Sequence, residues 1–335
     1  MCRAMPPSST SILPFRRWAV TGGTGLVGNN VVRALVAAGA EVRVLSRRPP
    51  RREFAGLAVE EVAGDLDDPA SLRRAFEGAE CVVHAAAMVE IRYGGRAEME
   101  AVNVRGTEAV VAALPPGARL VHVSTVDALG MRSRGSPADE TCAPAAHEGG
   151  VPYVDTKRLA DRVVQERAPN AVIVYPTYMI GPWDWRPSSG KMLLEIGGGK
   201  GLLAPPGGNN FVDVRDVAAG ILAAAAAPAG GRWILGGENL SYREAWARMA
   251  AVTGALPPLG ELPRWAAGAA AAGFDLARAV GLPEGEINAA AIRMSTLPHY
   301  FSPAKAIAEL GMPQTPLDTA LADAWAWFGE HGMRA

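Results

Sequence analysis

Short runs of branched apolar residues alternate, through the first half of the chain, with longer segments whose apolar positions recur at helical spacing. The strand candidates are Trp18–Thr21, Glu41–Leu45, Val59–Ala63, Cys81–Ala85, Arg119–Ser124 and Ala171–Tyr175. Helical patterns separate them at Leu26–Ala38, Pro69–Phe76, Arg96–Leu114 and Tyr153–Glu166. Strands alternating with helices predict an α/β fold, a doubly wound parallel sheet. After Pro176 the pattern changes. Proline, glycine and tryptophan crowd Pro176–Asn210, a composition suited to loops that shape a pocket over the sheet. A helix at Asp213–Ala227, a strand at Trp233–Leu235 and a helix at Tyr242–Val252 follow. The remainder to Met333 reads as mostly helical, broken at Gly281-Leu282-Pro283 and Gly311-Met312-Pro313. The expected organisation is a disordered tail over 1–17 and a sheet domain over 18–176 to which 211–235 returns. A smaller, discontinuous, mostly helical substrate region then comprises 177–210 and 236–335.

Composition narrows the class of protein. With 335 residues, 49% of them apolar, the chain can bury a large core. Its 33 basic and 34 acidic residues nearly cancel, so neither nucleic acid nor an acidic membrane surface is favoured as a partner. Cys2, Cys81 and Cys142 are odd in number and show no CxxC spacing, and the five histidines form no H-x-x-x-H pattern. A disulfide framework and a metal site are not expected. No apolar run is long enough to span a bilayer, and Met1 to Arg17 lacks the continuous apolar core of a signal peptide. A cytoplasmic protein acting on a small molecule is expected, as a monomer or a homodimer.

The first strand candidate runs directly into Thr21-Gly22-Gly23-Thr24-Gly25-Leu26-Val27-Gly28. In such a turn Gly22 permits a tight bend, Gly25 lets a pyrophosphate approach the backbone, and Gly28 lets the helix pack on the strand. Helix N-terminal N–H groups then face the phosphates. Strand two ends at Ser46-Arg47-Arg48, where a site for NAD usually carries a carboxylate for the ribose 2′-hydroxyl. Arg47 can instead pair with a 2′-phosphate and Arg48 reinforce it, which predicts NADP(H) over NAD(H); a solvated basic loop, with Arg51 and Arg52, is the plainer reading. Asp65, before Leu66, reads either as an acceptor for the adenine amine or as part of a helix-capping turn with Asp67 and Asp68. Ala85, Ala86 and Ala87 are small enough for a cofactor to lie close to the sheet edge.

Tyr153 stands four residues before Lys157, so a phenol and an ammonium project from one helix face. A cation at that distance favours the phenolate and suits Tyr153 to proton exchange with an alcohol or ketone.

Taken together these residues resemble the extended short-chain dehydrogenase/reductase family, the NAD-dependent epimerases and dehydratases. The resemblance covers nearly the whole chain beyond the tail: the TGGTGLVG turn, Gly64-Asp65-Leu66, His84-Ala85-Ala86-Ala87, Asn103–Thr107, His122–Thr125, Tyr153–Lys157, Gly181-Pro182 and Phe211–Ala218. It implies a Rossmann-type sheet and a triad of Thr125, Tyr153 and Lys157, with Ser124 beside the catalytic hydroxyl. Lys157 would hold the nicotinamide ribose and depress the Tyr153 pKa. Asn103 would be a relay near the site or a polar contact inside its helix. Pro176 and Thr177 close the list of expected cofactor contacts.

Departures from the family pattern narrow the substrate. Tyr178 stands where nucleotide-sugar enzymes commonly carry Asn, and Val126 leaves Asp127 as the single acid after Thr125, where dehydratases have two. The loop Met179–Trp185 is apolar and aromatic, and is similar to that of members resembling dihydroflavonol reductases, 3β-hydroxysteroid dehydrogenases and hopanoid-associated proteins. Met88, Asp127, Tyr178, Met179, Trp183 and Trp185 are therefore the expected pocket, although Trp183 and Trp185 would look the same if they only packed the loop. The leading expectation is an NADP(H)-dependent ketone/secondary-alcohol oxidoreductase for an apolar substrate. A sugar or nucleotide-sugar epimerase or dehydratase with tightly bound NAD is the alternative, and a cofactor sensor that keeps the fold is a third reading.

Overall fold

A computed structural model describes residues 13–49, 51–144, 150–285 and 287–334. Thirteen strands are formed among them, in chain order β1 Arg17–Thr21, β2 Glu41–Ser46, β3 Val59–Ala63, β4 Cys81–His84, β5 Arg119–Val123, β6 Val172–Pro176, β7 Tyr178–Ile180, β8 Leu203–Ala204, β9 Gly208–Asp213, β10 Arg232–Leu235, β11 Glu238–Ser241, β12 Gly260–Glu261 and β13 Pro298–His299. Seven of them make one parallel sheet in the order β10-β6-β5-β4-β1-β2-β3. Its central members are apolar because helices cover both faces. β4 and β6 are buried at every position, whereas β3, at the edge, carries Glu60 and Glu61. The strand order reverses between β1 and β4, and the crevice beyond their carboxyl ends is where such sheets bind ligands.

The two faces of the sheet hold separate cores. One gathers Trp18, Val20, Val32, Leu35, Val83 and Val121 under the helices Leu26–Ala37 and Val214–Ala226. The other gathers Leu72, Phe76, Val82, Leu120, Val164 and Ile173 under Pro69–Phe76 and Pro152–Arg167. A third core, around Phe211, Leu240, Met249, Leu321 and Trp327, belongs to a second, small sheet in which β9 is paired by β7, β11 and β13. Phe211–Asp213, expected to return to the main sheet, thus lies in this second sheet; only the following helix and β10 rejoin the first. Asp213 caps that helix by accepting from the Arg215 N–H.

Two further differences have local causes. Residues 1–12 of the expected tail lie outside the described residues, but Leu13 and Phe15 pack on the first core, and the N–H groups of Arg16 and Arg17 donate to the Glu80 carboxylate. Chain that carries two apolar anchors and two such hydrogen bonds is not a free tail. The Arg96–Leu114 pattern forms the helical segments Arg96–Met99 and Gly106–Ala113, joined without a break by a π-helical turn at Glu100–Arg105. Hydrophobic periodicity cannot report a single inserted residue of this kind.

Candidate active site

At the end of β1 the chain turns on Gly22, whose φ is +72°. A Cβ there would stand 2.5 Å from the Ala85 carbonyl carbon and the Ala86 nitrogen, so the crossing of the turn over the β4 edge requires glycine. A Cβ on Gly28 would stand 2.3 Å from the Gly22 carbonyl oxygen, which explains how the helix Leu26–Ala37 packs so closely on β1. That helix begins at the exposed Gly25 with no side-chain cap and no acid in its first turn, beside the half-buried Thr24 and Val27. Open N–H groups and the positive end of the helix are arranged to receive an anion, and the turn fits a pyrophosphate.

The other expected cofactor residues divide. Ser46 is buried at the end of β2, while Arg47 and Arg48 are exposed and make no hydrogen bond or ion pair among the described residues. Asp65 accepts from the Leu66 N–H at 2.7 Å, and the helix cap is Asp68, accepting from Ala70 at 2.9 Å. Ala85 donates its N–H to Thr21, and Ala85, Ala86 and Ala87 stay half-buried at the sheet edge. Pro176 ends β6, and the Thr177 N–H donates to Leu235 across to β10.

Asn103, from the π-helical turn, is almost wholly buried. Its Oδ1 accepts from the Met88 N–H at 2.7 Å, and its Nδ2 donates to Met88 O and Thr156 Oγ1, both at 3.0 Å. It ties the segment after β4 to the helix carrying Tyr153. His84 is bracketed by Thr21 Oγ1 at 2.7 Å and Thr107 Oγ1 at 3.0 Å. The Thr107 hydroxyl proton goes to Asn103 O, so His84 Nε2 donates to Thr107 and Nδ1 accepts from Thr21. Burial, with His122 and Lys157 nearby, pushes His84 well below its ordinary pKa, in keeping with that neutral form.

Thr125, Tyr153 and Lys157 come together at the carboxyl end of β5. Thr125 caps the short helix Val126–Ala128 and donates to Asp127 Oδ2 at 3.3 Å, and its hydroxyl is near enough to Tyr153 to pull the phenol's pKa down. Ser124 lies beside it, its Oγ buried and without a hydrogen bond. Lys157, 3% exposed, donates from Nζ to Val123 O at 2.8 Å. Its burial pushes the ammonium down to about 8, a trend that Asp161 opposes. The expectation that Lys157 holds the Tyr153 pKa down is corrected here. Burial, then the charge of Asp127, drive the phenol above its ordinary range, with only the nearby Thr125 hydroxyl acting the other way.

Around the Tyr153 ring lies an apolar cluster: Met99, Val151, Val154 and Ala290 are buried, and Met88, Ile91, Tyr93 and Met294 are partly exposed. Of these, sequence reasoning singled out Met88 alone. Asp127 also meets His299, whose Nε2 lies 3.6 Å from Oδ1; an isolated histidine late in the chain carried no signal. Of the two readings of Trp183 and Trp185, the contacts they make are those of loop packing. Arg33 stacks over Trp183 at 4.5 Å and Arg52 over Trp185 at 5.2 Å. Trp185 also meets Trp327 edge-on at 5.1 Å, so both rings brace the loop against the cofactor helix and the C-terminal helix Leu317–Glu330. Tyr178 donates to Ser189 O at 2.9 Å and lies on Phe211, within the third core, and Met179 packs on the first. None of these four rings or side chains belongs to the cluster around Tyr153.

The sequence pattern of the NAD dependent epimerase/dehydratase family matches residues 18–236. A putative dihydroflavonol 4-reductase from Synechocystis is 33% identical, over 93% of this chain and 94% of its own. Sterol demethylase protein B from Methylococcus capsulatus is 36% identical, over 94% and 98%. Among solved structures, a nucleoside-diphosphate-sugar epimerase from Pseudomonas aeruginosa superposes with a TM-score of 0.78 at 27% identity, covering 95% of this chain and 99% of that one. With its parallel sheet, its glycine turn and its Thr125, Tyr153 and Lys157 constellation, the chain belongs to the NAD-dependent epimerase/dehydratase family of extended short-chain dehydrogenases/reductases and is an NAD(P)-dependent enzyme.

Proposed function

We propose that the protein is an NADP(H)-dependent oxidoreductase that interconverts a ketone and a secondary alcohol on a mostly apolar small molecule, with Tyr153 as the acid/base. The observation that carries this reading is the apolar cluster of Met88, Ile91, Tyr93, Ala290 and Met294 around a phenol that has the Thr125 hydroxyl nearby. An apolar body can be held there by burial of its surface alone. A carbonyl oxygen set between the two hydroxyls would accept from Tyr153, and from Thr125 once that hydroxyl turns its single proton away from Asp127. The bound nicotinamide supplies the hydride. Tyr153 delivers the proton to the oxygen, and its raised pKa keeps that proton on the phenol at neutral pH. Lys157 holds the nicotinamide ribose, while Gly22, Gly25 and Gly28 cradle the pyrophosphate. Arg47 and Arg48, exposed after a strand that ends without an acid, would bind a 2′-phosphate.

The reductase and demethylase names of the two long relatives support this class of reaction. The name of the Pseudomonas relative favours a second reading, epimerisation of a sugar nucleotide on a retained NAD. One experiment separates them: the purified protein is mixed with NADPH and a panel of hydrophobic ketones, and absorbance at the reduced-nicotinamide band is followed against alcohol formed. Stoichiometric loss of NADPH is expected. No consumption across the panel, with NAD copurifying and UDP-sugars turned over, would replace the proposal by the second reading.

A further inference from the structure

Beneath the active site lies a layer of ionisable groups that the reaction does not touch. Asp161 follows Lys157 by one helical turn and is 6% exposed. His122 Nε2, from β5, lies 3.3 Å from Asp161 Oδ1, and the two side chains are 1% and 9% exposed. The contact is close but not aligned as a hydrogen bond. His84, on β4, stacks at a tilt against His122, with ring centroids 5.4 Å apart. Tyr175, on β6, adjoins Asp161, whose charge adds to burial in holding the phenol protonated.

An ammonium sealed in this layer needs a counter-charge, because desolvation alone favours the neutral amine. The other ionisable groups of the layer are His122, His84 and Tyr175, and none of them supplies one. Both histidines are held below their ordinary pKa, by burial first and by Lys157 as well, and so stay neutral; burial holds the Tyr175 phenol protonated. The carboxylate of Asp161 remains. We infer that Asp161 is a positioning residue, the buried counter-charge that keeps Lys157 an ammonium, with neutral His122 packed against it. This rests on the reading of Lys157 as the residue that holds the nicotinamide ribose, but the charge of Lys157 can be measured without any turnover. In the structure the Lys157 ammonium is already pushed down to about 8 with Asp161 in place.

The test uses the full-length chain labelled with 13Cε-lysine. It contains four lysines, Lys157, Lys191, Lys200 and Lys305, so each NMR signal can be followed with pH, and Lys157→Arg identifies the signal of interest. In Asp161→Asn the Lys157 midpoint should fall by about 1–3 pH units, the effect of losing an opposite charge at short range, while the other three lysines keep theirs. The tightest NADPH binding, read by quenching of reduced-nicotinamide fluorescence, should move to lower pH in the same variant. Asp161→Glu should restore both. An unchanged Lys157 midpoint in folded Asp161→Asn overturns the inference, as does a loss of NADPH affinity that is uniform across pH. If Asp161→Asn does not fold, Asp161→Glu decides the matter: a Lys157 midpoint displaced toward that of an uncharged neighbour overturns it. Should Lys157 respond as expected and no ketone be reduced, the proposed reaction fails and Asp161 keeps its role.

Discussion

Replacing Tyr153 by Phe removes one oxygen from a ring that is otherwise held by apolar contacts. Met88, Ile91, Val151, Val154 and Ala290 share one apolar cluster with Tyr153, so the cluster should close on Phe with little change. Thr125 keeps its hydrogen bond to Asp127 at 3.3 Å. The stability change should therefore be about 1 kcal/mol or less, a shift of about 2 °C at most in a chain of this size. Catalysis should respond on another scale. A positioned acid contributes about 10²–10⁴ in rate, or about 2.7–5.5 kcal/mol at 1.36 kcal/mol per tenfold. The assay compares kcat for ketone reduction, NADPH affinity by fluorescence titration, and the thermal midpoint of both proteins. Turnover should collapse while affinity and midpoint hold. If kcat falls less than tenfold, another group supplies the proton; if NADPH binding falls in step with kcat, Tyr153 is a structural support. The direction of its pKa shift adds a pH signature. Reduction draws on the protonated phenol and should not be limited by Tyr153 across neutral pH, whereas alcohol oxidation needs the phenolate and should accelerate as pH rises.

Three further outcomes follow from the geometry. Gly28→Ala sets a methyl 2.3 Å from the Gly22 carbonyl oxygen, backbone against backbone, and should destabilise the protein by about 1–3 kcal/mol in chemical denaturation while weakening NADPH binding. Arg47→Ala removes a charged partner for a 2′-phosphate, worth about 1.5–3 kcal/mol, so KM for NADPH should rise more than tenfold with KM for NADH unmoved; equal changes for both cofactors would remove the argument for NADP(H). His84 and His122 are buried neutral, with folded pKa values below the ordinary 6.5 of the unfolded chain. Their contribution is complete above pH 6.5 and is lost as pH falls below it, at about 1.4 kcal/mol per unit for each histidine. Urea midpoints measured from pH 7.5 to 5.5 should decline accordingly, and less steeply in His122→Gln.

The main sheet was legible because parallel strands buried on both faces must read as apolar runs, as Trp18–Val20 and Val172–Tyr175 do. The second sheet was not. β9 carries Asn209 and Asn210, and its partners β7, β11 and β13 are three, four and two residues long, assembled from distant parts of the chain. No local period records such pairing. The same division holds at the site. Gly22, Gly25, Gly28, Tyr153 and Lys157 announce themselves through short-range spacing, whereas His299 meets Asp127 only through the fold. Burial depth is equally invisible along the chain, which is why the cation beside Tyr153 could be read but the upward shift of the phenol could not. Trp183 and Trp185 were open to two readings, pocket lining or loop packing, between which the sequence could not choose; their partners Arg33, Arg52 and Trp327 are met only through the fold.

The π-helical turn at Glu100–Arg105 acts as a phase shifter. Upstream of it the helix packs on Pro152–Arg167 and sends Met99 into the cluster around Tyr153; downstream it must fit between Pro69–Phe76 and Pro152–Arg167. One additional residue advances the helical phase by about 100°, a third of a turn, so each half can meet different neighbours without bending. Asn103 sits on that step and turns inward to clamp Met88 and Thr156. Chain length at this point is thus a functional variable in its own right. Deleting a single residue between Glu100 and Arg105 would regularise the helix, and in doing so would swing Asn103 out of reach of the helix that bears Tyr153.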